Sequence, residues 1–205
     1  MDKIIRPYAV CPEGLHNSYY LMRHGRSLAN EEGLIISHYD NGADHYGLSE
    51  TGREQIRNIL QEQSLLNRET LILSSDFLRT RETAQVAAEI LGALPPESSP
   101  LLRERSFGDY EKTEDRHYSL VWMEDVKNDK NRAMNVESPR EVQMRFRSFI
   151  EEMEKRFDKK QILIVSHGDI LQIALTWLEG IPPGQHRSLK HLETGEIRPL
   201  LHHRD

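Results

Sequence analysis

Three short apolar runs, Tyr19-Tyr20-Leu21-Met22, Leu71-Ile72-Leu73 and Ile162-Leu163-Ile164-Val165, constrain the fold of this chain most. None of them alternates with polar residues. A strand with one wet face alternates, whereas an unbroken apolar run suits a strand covered on both faces, as in a parallel sheet between helices. Helical patterns lie between and after the runs. Ile56, Ile59 and Leu60 mark one apolar stripe; Val86, Ala87, Ile90 and Leu91 mark a second that stops at Gly92. Ser138-Pro139-Arg140-Glu141 has the form of a capping box with proline in the first helical position. Behind it, Val142, Phe146, Phe149, Ile150, Met153 and Phe157 keep helical spacing, which makes them core residues. The stretch from Ile170 to Leu178 is apolar almost all round, as a deeply buried helix or a dimer seam would be. The expected fold is α/β, a three-layer αβα arrangement around a mostly parallel sheet.

Length and charge narrow the class. The 205 residues suit one domain, here with a helical lid inserted at about 110–137, and no internal repeat divides them. No apolar run approaches the ~20 residues of a membrane helix, and no long apolar stretch follows the first charges as in a secretory signal. Cys11 is the single cysteine, which excludes an internal disulfide and a multi-cysteine zinc site. With 27 basic and 33 acidic residues the net charge is −6, the wrong sign for a general nucleic-acid binder. A cytoplasmic protein is expected, with neither a membrane nor a nucleic acid as partner, and either monomeric or homodimeric.

In α/β folds ligands collect at the carboxyl ends of the strands, so the residues following each run matter most. The first run leads into Arg23-His24-Gly25-Arg26-Ser27, the second into Ser74-Ser75-Asp76 with Arg79 and Thr83 beyond, the third into Ser166-His167-Gly168-Asp169. Two histidines could ligate a metal, but they offer no H-x-x-x-H or H-x-H pair. Each arginine at ~4 Å would cost a cation about 4 kcal/mol at an effective dielectric of 20. Guanidinium forks suit phosphate oxygens instead. Neutral imidazole beside such charges is a nucleophile that can form a phosphohistidine, with arginines neutralising the phosphoryl oxygens. The leaving oxygen then needs a proton. Glu104 is one candidate among 33 acids, and residue types alone do not select it.

Leu21-Met22-Arg23-His24-Gly25 resembles the first block of the histidine phosphatase superfamily, in the branch of cofactor-dependent phosphoglycerate mutases and their phosphatase relatives. The likeness of this block continues through Ser27, Asn30 and Leu48 to Gly52; a second block runs from Ser74 to Ala84, a third from Glu104 to Glu111, and the last is Val165-Ser166-His167-Gly168. Four ordered blocks are far more specific than one R-H-G. The resemblance implies His24 as the phosphate-accepting nucleophile; Arg23, Arg79 and His167 as groups that hold the phosphoryl; Asn30 as a further donor; and Glu104 as proton donor and then base. It implies no cofactor and no metal.

Departures from the mutase pattern point to hydrolysis. Arg26 stands where mutases usually carry glutamate, Arg105-Ser106-Phe107-Gly108 replaces histidine, tyrosine and glycine after the donor, and 112–135 holds Arg116, Lys127, Lys130 and Arg132 but no arginine pair. The expected activity is that of a metal-independent, histidine acid phosphatase-type hydrolase of a small phosphorylated metabolite. Its alternatives are a phosphoglycerate mutase and a non-catalytic phosphate-recognising module. Some roles stay open: Asp109 or Glu111 in place of Glu104, Asn30 as a turn residue, Arg26 as a substrate-side charge or a surface ion pair. Trp122, Tyr118 and Val121 are expected on a lid helix. His38, His45 and Tyr46 lie in a substrate-facing loop between Gly33 and Gly47, and His202 and His203 at the tail are read as solvated.

Overall fold

A computed structural model describes residues 14–200. Cys11, His202 and His203 lie outside the described residues. The strands are β1 (Ser18–Arg23), β2 (Leu71–Ser74), β3 (Glu97–Ser98), β4 (Gln161–Ser166) and β5 (Ile197–Pro199). They form one sheet in the order β3-β2-β4-β1-β5. All neighbours are parallel except β1 and β5, which run antiparallel. The three apolar runs are the three central strands, and helices cover both of their faces, which explains why the runs do not alternate. β3 and β5 are short edge strands whose side chains form no apolar run, so the sequence pattern passes over them.

On one face pack α3 (Glu50–Glu62) and α4 (Leu78–Leu91), enclosing Ile56, Leu60, Ala84 and Ala87 against Met22, Ile72, Leu163 and Val165. On the other pack α6 (Pro139–Arg156) and α7 (Gly168–Glu179), enclosing Phe146, Phe149, Ile150, Ile173 and Trp177 against Leu21, Ile162 and Ile164. The α6 capping box forms as expected: Ser138 accepts from the Glu141 N–H while the Glu141 carboxylate receives the Ser138 N–H. α4 ends at Gly92 in the left-handed region (φ 64°). In α7, residues on all sides are buried, so this helix belongs to the core.

Two short helices, α1 (Leu28–Glu32) and α2 (Tyr39–Gly42), follow β1 and precede α3. The segment between the sheet halves carries α5 (Tyr118–Lys127) and 3-10 turns at Gly108–Tyr110, Asp115–His117 and Ala133–Asn135. Phe107, Val121 and Val136 enclose Ile35 in a small apolar cluster of its own. This cluster joins the segment to the loop after α1 above the sheet edge. Among the described residues no helix is long and apolar enough to cross a membrane.

Candidate active site

Strand register assembles the site. Arg23 of β1 pairs with Ser166 of β4, so the residues that follow, His24 and His167, emerge side by side. The ladder continues one step further, with the His24 N–H donating to the Ser166 carbonyl at 2.9 Å and the Ser75 N–H to the Val165 carbonyl at 3.0 Å. The two imidazole centroids are 5.3 Å apart in an edge-on arrangement. Both rings are buried, as is Arg79, from the first turn of α4.

The hydrogen bonds define the tautomers. His24 Nδ1 lies 2.7 Å from the Gly25 carbonyl oxygen, which only accepts, so Nδ1 carries the proton and Nε2 the lone pair. That Nε2 accepts from Arg79 Nε at 3.2 Å. The same N–H also reaches His167 Nδ1 at 3.2 Å, and His167 Nε2 donates to Ser75 Oγ at 2.9 Å. Burial first, and then the charges of Arg79 and Arg23, holds the His24 pKa well below the usual histidine value. His167 is lowered in the same way, by burial and then by Arg79. Arg79 donates through Nη2 to the Ile36 carbonyl at 2.9 Å, and Arg23 through Nη1 to the Leu192 carbonyl at 3.0 Å. Arg79 Nη1 and Arg23 Nε are buried with no protein acceptor. Thr83 ties the layers together, accepting from the Gly25 N–H and donating to the Arg79 carbonyl. Gly168 lets the chain pass close to Arg23: a Cβ there would lie 3.3 Å from the guanidinium carbon and press on it.

Next to this cluster opens a cavity of about 240 Å³, with Arg23, Asn30, Glu104 and Gly168 in its lining. Glu104 Oε1 accepts from the backbone N–H groups of Arg105 (2.9 Å) and Ile170 (3.2 Å). Burial and then the negative charge of Asp169 raise the Glu104 pKa above the usual carboxylate value, against the pull of those N–H groups and Arg79. The other two acids weighed for its role are engaged elsewhere. Glu111 accepts from Ser37, His38 and Asn41, and Asp109 holds Asn135. Asn30 is a capping partner inside α1 and also lines the cavity. Its amide oxygen caps α1 through the Ser27 N–H and Oγ, which leaves the amide nitrogen to donate at the cavity wall.

Arg26 is not brought to this group. The chain turns into the α1 cap directly after it, and its half-exposed side chain sits 3.5 Å from Glu31. It is not among the residues lining the cavity. In the Gly33–Gly47 loop, Leu34 rather than His45 or Tyr46 reaches the cavity, and His38 lines a neighbouring one together with Glu104. Trp122 and Tyr118 stand on α5 as expected, stacked with rings 8° from parallel, and both line the cavity. Sequence reasoning passed over Asp169, Arg187 and His191 in the same lining. Asp169 was visible beside the last motif, but Arg187, in a 3-10 turn, and His191, in irregular chain, follow α7 with no motif to mark them.

A family model described as histidine phosphatase superfamily (branch 1) matches residues 19–205. The adenosylcobalamin/alpha-ribazole phosphatase of Escherichia coli is 30% identical over 173 residues, covering 80% of this chain and 79% of that protein. The Arabidopsis thaliana phosphoglycerate mutase-like protein 4 is 25% identical over 158 residues, covering 74% of this chain and 66% of that protein. Among solved structures, the alpha-ribazole phosphatase from Shigella flexneri superposes with a TM-score of 0.70 at 26% identity, covering 89% of each chain. The mycobacterial glucosyl-3-phosphoglycerate phosphatase shares the fold, with a TM-score of 0.71 over 89% of this chain and 88% of that one at 20% identity. The match runs through the strand ends that carry Arg23, His24 and His167, and the chain belongs to branch 1 of the histidine phosphatase superfamily.

Proposed function

We propose that this protein is a phosphomonoester hydrolase that works through a covalent phosphohistidine at His24 on a small phosphorylated metabolite, without a metal ion. The observation that carries the reading is the tautomer of His24: its proton is committed to the Gly25 carbonyl, and its Nε2 lone pair faces the Arg79 guanidinium, with the Arg23 charge nearby. Nε2 attacks phosphorus while Arg23, Arg79 and Asn30 receive the phosphoryl oxygens; His167 joins them by changing tautomer, its Nδ1–H turning to the phosphoryl group while Ser75 Oγ donates to its Nε2. Arg23 Nε and Arg79 Nη1 are suited to this, since a buried donor without an acceptor is costly until one arrives. The bond from phosphorus to the leaving oxygen breaks, and protonated Glu104 gives that oxygen its proton. Water then loses a proton to Glu104 and attacks phosphorus; the P–N bond breaks, inorganic phosphate departs, and His24 regains its lone pair.

Hydrolysis is favoured over phosphoryl return because none of Arg116, Lys127, Lys130 and Arg132 is among the residues lining the cavity. Arg116, Lys127 and Arg132 pair instead with Glu114, Glu124 and Glu141. The relatives named as phosphatases support the same reading, and the segment carrying α5 serves as the lid. The test is incubation with phosphomonoesters labelled at phosphorus, with and without chelator. Expected are phosphate release that chelator leaves intact and an acid-labile, base-stable label that is absent from His24→Ala. Full activity in His24→Ala would overturn the mechanism, and oxyanion binding without turnover on any ester would favour the phosphate-recognising module.

A further inference from the structure

Resting on that reading, we propose that Arg187 is a second anion clamp in the substrate cavity, so that the substrate is a phosphomonoester whose leaving group carries a further carboxylate or phosphate. Arg187 comes from the 3-10 turn Pro183–Ser188 and lines the cavity together with Arg23. Its guanidinium is held in place from two sides. The carbon lies 3.8 Å from the centroid of the Trp122 ring, and Nη1 donates to Gln172 Oε1 at 2.5 Å. Trp122 is itself fixed by its indole N–H to Asp169 Oδ1 at 2.9 Å, and Gln172 by its amide to the Leu189 carbonyl at 2.5 Å. Among the described residues Arg187 has no carboxylate partner, so Nε and Nη2 of an oriented fork remain free to grip an anion.

The acids in the same lining do not cancel this charge. Asp169 is taken by Arg105 Nη1 at 3.2 Å and lies 3.5 Å from His186. Glu104 is committed to backbone donors, and Asp115 is exposed at the rim. Burial and the repulsion of Arg23 both make the Arg187 charge less comfortable, although Asp169 favours it. A ligand with an anion at each end relieves both arginines at once. A neutral leaving group relieves only Arg23.

The test compares 3-phosphoglycerate with glycerol 3-phosphate, and fructose 1,6-bisphosphate with fructose 6-phosphate. Dissociation constants are measured by calorimetry on the His24→Ala protein, and kcat/KM on the active one. Arg187→Met is expected to cut the preference for the doubly anionic member of at least one pair by roughly 10- to 100-fold, the range of a charge-assisted bidentate contact. Arg187→Lys should restore part of it, which a purely structural loss would not show. The pair that responds identifies the second group as carboxylate or phosphate. A ratio that Arg187→Met leaves unchanged in both pairs, or no preference in the parent protein, would overturn the proposal. Absence of phosphate release from the active protein defeats the hydrolase reading alone, since the binding ratios still decide Arg187.

Discussion

Glu104 shows how one residue acquires its role from neighbours that are distant in sequence. Two backbone N–H groups fix its orientation, and burial with the Asp169 charge favours its protonated form. His24 is shifted the opposite way, so the two shifts together favour a neutral imidazole beside a protonated carboxyl. On the proposed mechanism the acid limb of kcat/KM would belong to His24, which must lose its proton, and the alkaline limb to Glu104, which must keep its own. Asp169→Asn retains an acceptor for Trp122 but removes the charge that raises Glu104. The alkaline limb should therefore move to lower pH while the acid limb holds, as a pH–rate profile would reveal. An unmoved alkaline limb would remove Asp169 from this role. Nothing in residue type marked Glu104 among the acids. The motif singled it out, and in the structure Glu111 is bonded to Ser37 and Asn41 and Asp109 to Asn135.

Between elements, Arg105 is the main tie. It is fully buried, with Nη1 and Nη2 on the two oxygens of Asp125 at 2.6 and 2.8 Å, Nη1 also 3.2 Å from Asp169, and Nε on the Glu137 carbonyl at 2.7 Å. One guanidinium thus joins α5 to the first turn of α7 and to the entry of α6. Burial works against its charge, but the paired carboxylates outweigh it and raise its pKa. Arg105→Met strands a buried carboxylate and should cost ~3–5 kcal/mol in urea denaturation, with part recovered when Asp125→Leu is added. An isolated cost below about 1 kcal/mol, the range of surface pairs, would show the tie to be unimportant. The central strands and the long helices were legible because burial on both faces and on one stripe writes distinct periods into the chain. This ion cluster was not, because a charged residue in sequence gives no sign of whether water or a partner 20 positions away surrounds it.

Across the whole molecule, β1, β2 and β4 deliver His24, Ser75 and His167 to one edge, and helices from both faces close around them. An oxyanion bound there would contact groups from both layers, so its binding should stabilise the entire fold. Vanadate at 100 times its dissociation constant adds ~2.7 kcal/mol, raising Tm by about 5–10 °C for a chain of this size. Calorimetry with and without vanadate checks this, and Arg79→Leu should shrink the shift. A full shift in that variant would place the oxyanion elsewhere.

The single Arg79 Nε–H divided between two imidazoles has a kinetic corollary. In the proposed phosphohistidine His24 Nε2 would accept nothing, and the guanidinium would turn wholly to His167 and the transferred group. Departure of the product would let the three-way tie close again, so on that mechanism free phosphate competes with the protein's own internal contact for the same donor. Such a resting arrangement would discourage lingering product and ready the ring for another cycle.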